Sequence, residues 1–167
     1  MSMINALQAY PSMLILGSII LGLLVGSFLN VVIYRLPLMM EREWKDECRL
    51  ILELEQEKSS QDETFNLAHP NSHCPNCSAS IKAWQNIPVV SYLILKGRCA
   101  NCNTHISVRY PVIEAVTGVL SGLIAWQLGD PYPVLLALFF TWCLISLTMI
   151  DADHQLLPDQ ITLPLLW

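Results

Sequence analysis

Apolar positions in this chain gather into three long runs with one polar stretch between the first and the second. The runs cover Met13 to Tyr34, Val112 to Leu128 and Val134 to Ile150. Each is within or near the roughly 17–25 residues that cross a hydrocarbon layer about 30 Å thick. They predict transmembrane helices over residues 13–34, 112–128 and 134–150, joined by a short turn at 129–133. A further apolar run opens at Ile161 and stops after seven residues, so residues 161–167 read as the start of a truncated transmembrane helix. The fold class that follows is an all-α membrane protein, a multi-helix transmembrane bundle, with residues 35–111 inserted as a polar loop.

Within the runs, small residues recur at helical spacing. Ser18, Gly22 and Gly26 are four apart, as are Gly118 and Gly122, so these two helices are expected to pack closely along smooth stripes. Asn30 is an amide inside the first run and needs a hydrogen-bond partner there. Arg35 and Pro37 are expected to close the first helix at the membrane surface. Beyond them, Glu41 to Glu63 is charged, with Trp44, Cys48 and Ile51 on one helical face, and reads as a solvated segment. Ser59 to His69 reads as a linker. Pro88 to Leu95 reads as a strand, and Lys96-Gly97 as the turn that ends it.

Composition agrees with a membrane protein: 167 residues, 53% hydrophobic and 14% charged, with a mean hydropathy of +0.45. All nine Lys and Arg residues lie between Arg35 and Arg109. The positive-inside bias therefore makes the loop cytoplasmic, leaves residues 1–12 and the 129–133 turn outside, and brings Asp151 to the cytoplasmic side. No basic residue precedes the first run, which is longer than a leader's apolar core and is expected to remain as an anchor. The net charge of −5 comes without a basic stripe, so no nucleic-acid partner is expected.

The loop carries the strongest chemical signal. Cys74-Pro-Asn-Cys77 and Cys99-Ala-Asn-Cys102 are two C-x-x-C knuckles separated by 21 residues. Two such turns meeting head-on supply the four soft ligands of a tetrahedral Zn²⁺ site, closed and therefore structural. They define a zinc-binding subdomain over about residues 70–107. His69, His73 and His105 are bystanders to a shell that four thiolates complete. A cytoplasmic loop disfavours disulfides, although a redox protein using its cysteine pairs stays as an alternative. Cys48 and Cys143 stand alone and read as small side chains.

Carboxylates cluster where the third run meets water: Asp151, Asp153 and Asp159 fall within residues 151–160. They either mark the end of the hydrocarbon or do chemistry there. Two carboxylates that share a proton can activate water and polarise a scissile carbonyl. Asp151 and Asp159 are about 12 Å apart along a helix, and Asp151 and Asp153 point to different faces, so a dyad needs a partner from elsewhere. Glu114 lies one turn inside the second run, where it is either offset by the helix dipole or available to a cationic ligand.

Together these residues resemble a family. Gly26-Ser-Phe-Leu-Asn30-Val-Val-Ile-Tyr-Arg35-Leu-Pro37, the paired knuckles, Arg109-Tyr-Pro-Val-Ile-Glu114 with Thr117-Gly118, and Ile150-Asp151-x-Asp153 followed by Leu157-Pro158-Asp159-x-x-Thr162-Leu-Pro164 occur in the order seen in type IV prepilin peptidases. These are bifunctional leader peptidases and N-methyltransferases of the bacterial inner membrane. The resemblance implies an aspartyl endopeptidase that cuts prepilin and pseudopilin leader peptides after Gly on the cytoplasmic side. It then methylates the new N-terminus with S-adenosylmethionine. It implies Asp151 as the first catalytic aspartate, with Asp153, Asp159 and Glu114 in support. The family's second catalytic aspartate lies in a Gly-x-Gly-Asp motif that this chain lacks, since Gly129-Asp130 has no first glycine. The zinc lobe around Gly97 is the expected place for the methyl donor. The rival reading is a non-catalytic, zinc-organised membrane adaptor of a pilus or type II secretion assembly.

Overall fold

The structure, a computed structural model, describes residues 10–53, 65–68, 72–74, 76–81 and 83–166. Residues 1–9, most of the linker expected at Ser59 to His69, including His69 itself, and Trp167 lie outside the described residues. The first helix, α1, runs Pro11–Ile51, 41 residues. At about 1.5 Å per residue it is about 60 Å long, twice the hydrocarbon thickness. The expected closure at Arg35 and Pro37 is therefore corrected: the helix passes through both. A proline inside a helix removes one backbone bond, and here the surroundings support the turn that loses it. Pro37 is buried, and buried Arg35 donates from Nη1 to Asn66 O at 2.9 Å and Leu67 O at 3.4 Å. The Arg42 guanidinium lies 4.0 Å from the centroid of the Phe65 ring. Residues 65–67 thus brace the helix where the sequence pattern suggests a stop.

The region read as a strand is also corrected. Residues Ala83–Asn86 form a 3-10 turn, and α2 is a one-turn helix over Val90–Ile94. A short apolar run has no period long enough to separate strand from helix, and among the described residues no strand lies beside it to pair with. Among the described residues the only β pairing is two isolated bridges, His73 with Ser80 and Arg98 with His105.

Helix α3 spans Arg109–Leu128 and α4 spans Pro131–His154. Gly129 ends α3 at φ 68°, and Asp130 accepts a hydrogen bond from the Tyr132 N–H to open α4. Helix α5 covers Asp159–Leu166. Among the described residues three helices, α1, α3 and α4, are long and apolar enough to cross a membrane.

Close packing of α1 on α3 rests on the glycine stripes. A Cβ on Gly26 would sit 2.8 Å from Glu114 Cα, and one on Gly22 would sit 2.8 Å from Thr117 O. Gly118 and Gly122 in turn receive Leu23 and Ile19. Polar groups at this contact are satisfied. Thr117 and Ser121 donate back to the carbonyls of Ile113 and Thr117, both at 2.7 Å, and Trp142 of α4 donates to Ser121 Oγ at 3.1 Å. Asn30 donates to Gly26 O and, across to α3, to Tyr110 O, both at 3.2 Å. Two apolar clusters lie at opposite ends of the bundle. One is built on Leu14, Ala125, Val134 and Leu138. The other, on Leu29, Val32, Ile33, Leu36, Ile113 and Ile150, seats the end of α4 that carries Asp151.

Candidate functional site

The two cysteine knuckles fold alike. In the first, the Cys74 N–H donates to Ala79 O at 3.0 Å and the Ser78 N–H to Cys74 O at 2.9 Å. Twenty-five residues on, the Cys99 N–H donates to Thr104 O at 2.9 Å and the Asn103 N–H to Cys99 O at 3.0 Å. Each turn closes on a residue in the left-handed region, Ser78 at φ 54° and Asn103 at φ 57°. Asn is at home there, whereas Ser adopts it less readily.

The four sulfur ligand atoms of Cys74, Cys77, Cys99 and Cys102 lie within 4.8 Å of one another. Cys74 Sγ and Cys102 Sγ are 3.7 Å apart. A tetrahedron with bonds of about 2.3 Å has edges of about 3.8 Å, so the set fits a thiolate-bound metal ion such as zinc. A disulfide needs about 2.05 Å, and all six cysteines of the chain are free thiols. Cys74 is buried and its three partners half-buried.

A supporting layer around the sulfurs was not anticipated from sequence. Asn76 donates to Thr104 Oγ1 at 2.8 Å, and that hydroxyl lies 3.2 Å from Cys102 Sγ. The Thr104 side chain and backbone, with Asn76 behind them, hold the Cys102 thiol down to about 5. Thiolate is the form a metal takes. On the other side Asn101 donates to Cys77 Sγ at 3.6 Å. The signal was available: each knuckle has Asn as its third residue, Asn76 and Asn101, and neutral donors beside thiolates tune metal sites. His105 places its ring nitrogen Nδ1 3.0 Å from Ile106 O and is not in the four-residue cluster. His73 is not in the four-residue cluster.

Gly97 stands at the turn into the second knuckle with φ 68°, and a Cβ there would lie 2.7 Å from Tyr92 Oη. It is required by the turn and by the close approach of that ring. Beside it an open groove of about 600 Å³ is lined by Leu95, Lys96, Arg98, Cys99 and Asn103 among others.

The carboxylates are divided between two places. Glu114 is buried on the α1 side of α3 and accepts the Val89 N–H at 2.7 Å. Val89, at φ 59° and ψ −45°, is a β-branched residue in a conformation such residues avoid. The carboxylate thus ties the chain just before α2 to the bundle. Asp151 and Asp153 lie on the last turns of α4, both exposed, and Asp159 opens α5. Asp153 is engaged by both terminal nitrogens of Arg109, with Nη1 to Oδ1 at 3.0 Å. Asp151 stays clear of that clamp, and its backbone carbonyl accepts the Gln155 N–H at 2.9 Å. Two positions apart on α4, Asp151 and Asp153 lie on different faces of that helix.

These features define the class: a helical membrane protein with three candidate spans, a four-cysteine cluster that could hold a metal ion, and acidic residues on the last turns of α4. The Bacterial Peptidase A24 N-terminal domain family matches residues 20–128, and the chain belongs to that family. It is 51% identical over 167 residues to a prepilin leader peptidase/N-methyltransferase of Pseudomonas aeruginosa, covering 100% of this chain and 57% of that protein. It is 59% identical over 152 residues to one of Neisseria gonorrhoeae, covering 89% and 51%. With one of Legionella pneumophila the identity is 49% over 166 residues, covering 99% and 57%. The chain thus spans a little over half the length of the curated relatives it matches. No solved structure matches it.

Proposed function

We propose that the whole protein is an intramembrane aspartyl endopeptidase of the bacterial inner membrane. It removes the leader peptide of type IV prepilins and pseudopilins after Gly, on the cytoplasmic side, and then N-methylates the new terminus from S-adenosylmethionine. The observation that carries this reading is the high identity to relatives named for both activities, along the whole stretch that holds the cysteine centre and Asp151. On this reading the four sulfurs hold a structural zinc, the cysteine lobe and Asp151 share the cytoplasmic side, and the N-terminus is outside.

Asp151 is assigned as one of two catalytic carboxylates. Its exposure at the end of α4 leaves its oxygens open to water and to an incoming peptide. Hydrolysis needs one carboxylate ionised, to take a proton from the attacking water, and a companion protonated, to donate to the peptide carbonyl oxygen. The resemblance places that companion in a Gly-x-Gly-Asp motif, which does not occur in these 167 residues. Asp153 and Asp159 hold and solvate the helix end rather than react. Glu114 acts in support from within the bundle.

For methylation, the groove beside Gly97 is the assigned place for the donor, which supplies an electrophilic methyl group. The chain's own part is to present the new amine in line and unprotonated.

Asp151→Asn in the whole protein tests the protease assignment. Leader cleavage should stop while zinc content and folding are kept. Full cleavage by that variant would overturn the assignment and favour the adaptor reading. Substitution of Gly97 should abolish methylation and leave cleavage in place, and loss of both together would count against the donor site.

A further inference from the structure

We propose that residues 87–95 dock into the lipid leaflet next to the cysteine lobe, with Lys96 and Arg98 at the level of anionic head groups. The lobe is then held to the bilayer by its own apolar segment as well as by α1 and α3. Depth is the first observation. The Val89 N–H reaches Glu114 Oε2 at 2.7 Å, and Glu114 lies five residues inside α3, about 7.5 Å along the axis from Arg109. Since a helical side chain leans toward the N-terminus, Val89 lies beside the first turns of α3, where its apolar run begins.

Its exposed side chains are those of a lipid contact. Ile87 and Val90 are 47% and 49% exposed, and Leu93 and Ile94 are 68% and 67% exposed. At the same depth α3 presents Val112 and Val116, 50% and 46% exposed, so the apolar surface of the membrane-spanning bundle continues at this level. From Ala83 to Leu95 there is no charged residue, and then Lys96 and Arg98 follow on the exposed turn. Four large apolar side chains within eight residues are poorly suited to water, whereas an apolar face closed by basic residues suits an anionic membrane surface.

Backbone polarity is the usual obstacle to placing a non-spanning segment in hydrocarbon. Here it is met internally. Pro88 has no N–H, and Val89 N–H is taken by Glu114. The N–H groups of Ser91, Leu93 and Leu95 donate to Ile87, Val89 and Ser91 at 3.1, 3.1 and 2.9 Å. Those of Gly97 and Arg98 donate to Tyr92 and Leu95 at 3.0 and 3.1 Å. The backbone donors named here thus have partners within the protein rather than in water.

The test uses the full chain in vesicles, with Leu93→Trp and Ile94→Trp made separately and Asn103→Trp, at the tip of the second knuckle, as reference. Lipids brominated on the acyl chain should quench the added fluorescence of both apolar-site variants at least twofold more than that of Asn103→Trp. Equal or weaker quenching at both sites overturns the docking, whether water or another polypeptide covers the face. The head-group contact is read separately. Lys96→Gln with Arg98→Gln should reduce the preference for phosphatidylglycerol over phosphatidylcholine in bound lipid by about fivefold per charge removed, at about 1 kcal/mol each. An unchanged preference overturns that part.

Discussion

Arg109 and Asp153 face each other as a fork on a carboxylate, joining the first residue of α3 to the last turn of α4 across 44 positions of sequence. Both side chains are partly exposed, 39% and 32%. The pair should therefore add only about 0.5–1 kcal/mol to stability, read as the coupling energy of a double-mutant cycle on unfolding in detergent. On the proposed function its larger effect should be on leader cleavage, because it fixes the helix end two residues after Asp151. In the whole protein Arg109→Ala is expected to slow leader cleavage about tenfold to a hundredfold. Arg109→Lys should recover only part of the rate, since an ammonium cannot reproduce the two-pronged contact.

The α1–α3 contact supplies its own control. Gly22→Ala and Gly26→Ala each put a methyl group within 3 Å of backbone atoms of α3. Each should destabilise the bundle by about 1–3 kcal/mol. Gly17 has nothing within 4 Å of its would-be Cβ, so Gly17→Ala should be neutral or slightly stabilising. Unfolding of the three variants in the same detergent separates overpacking from any general effect of losing a glycine. Equal loss at all three positions would contradict the packing.

One zinc per chain is expected by elemental analysis, lost when any of Cys74, Cys77, Cys99 or Cys102 becomes Ser and kept when Cys48 or Cys143 does. Thr104→Ala is the sharper probe. It leaves all four sulfurs but removes the hydroxyl beside Cys102 Sγ and the acceptor for Asn76. Zinc affinity, measured by competition with a chelator, should fall about 10–100-fold. An unchanged affinity would mean that the hydroxyl plays no part in stabilising the thiolate.

Much of this was legible in the residues, and the reasons for the rest are physical. The bundle could be read because apolar length and small-residue spacing are local properties, and the cysteine centre because knuckle spacing is. Pro37 misled because a stop signal is a local preference, which Arg35 and residues 65–67 override by packing. Pro88 to Leu95 misled because its conformation depends on Glu114, a residue 25 positions beyond Val89. The Arg109–Asp153 clamp has no local signature at all. Its partners are ordinary surface charges until two helices bring them together.

Glu114 offers the last test, because its two possible roles predict different things. If its carboxylate serves only to receive the Val89 N–H, Glu114→Gln should be mild, since the amide oxygen can accept the same bond. Glu114→Leu leaves that N–H without its acceptor in an apolar setting and should cost about 1–3 kcal/mol. It should also free Val89 from its positive-φ conformation and release the segment up to Ile94, which would appear as faster proteolysis between residues 87 and 95 with the membrane-length helices intact. If the negative charge itself supports chemistry at the helix end, Glu114→Gln should depress leader cleavage in the whole protein as strongly as Glu114→Leu does, despite retained stability. The contacts seen here, the Val89 N–H at 2.7 Å and the Ser27 side chain on a carboxylate buried between two helices, favour the first outcome. Cleavage should therefore follow the order wild type, then Gln, then Leu, in step with stability.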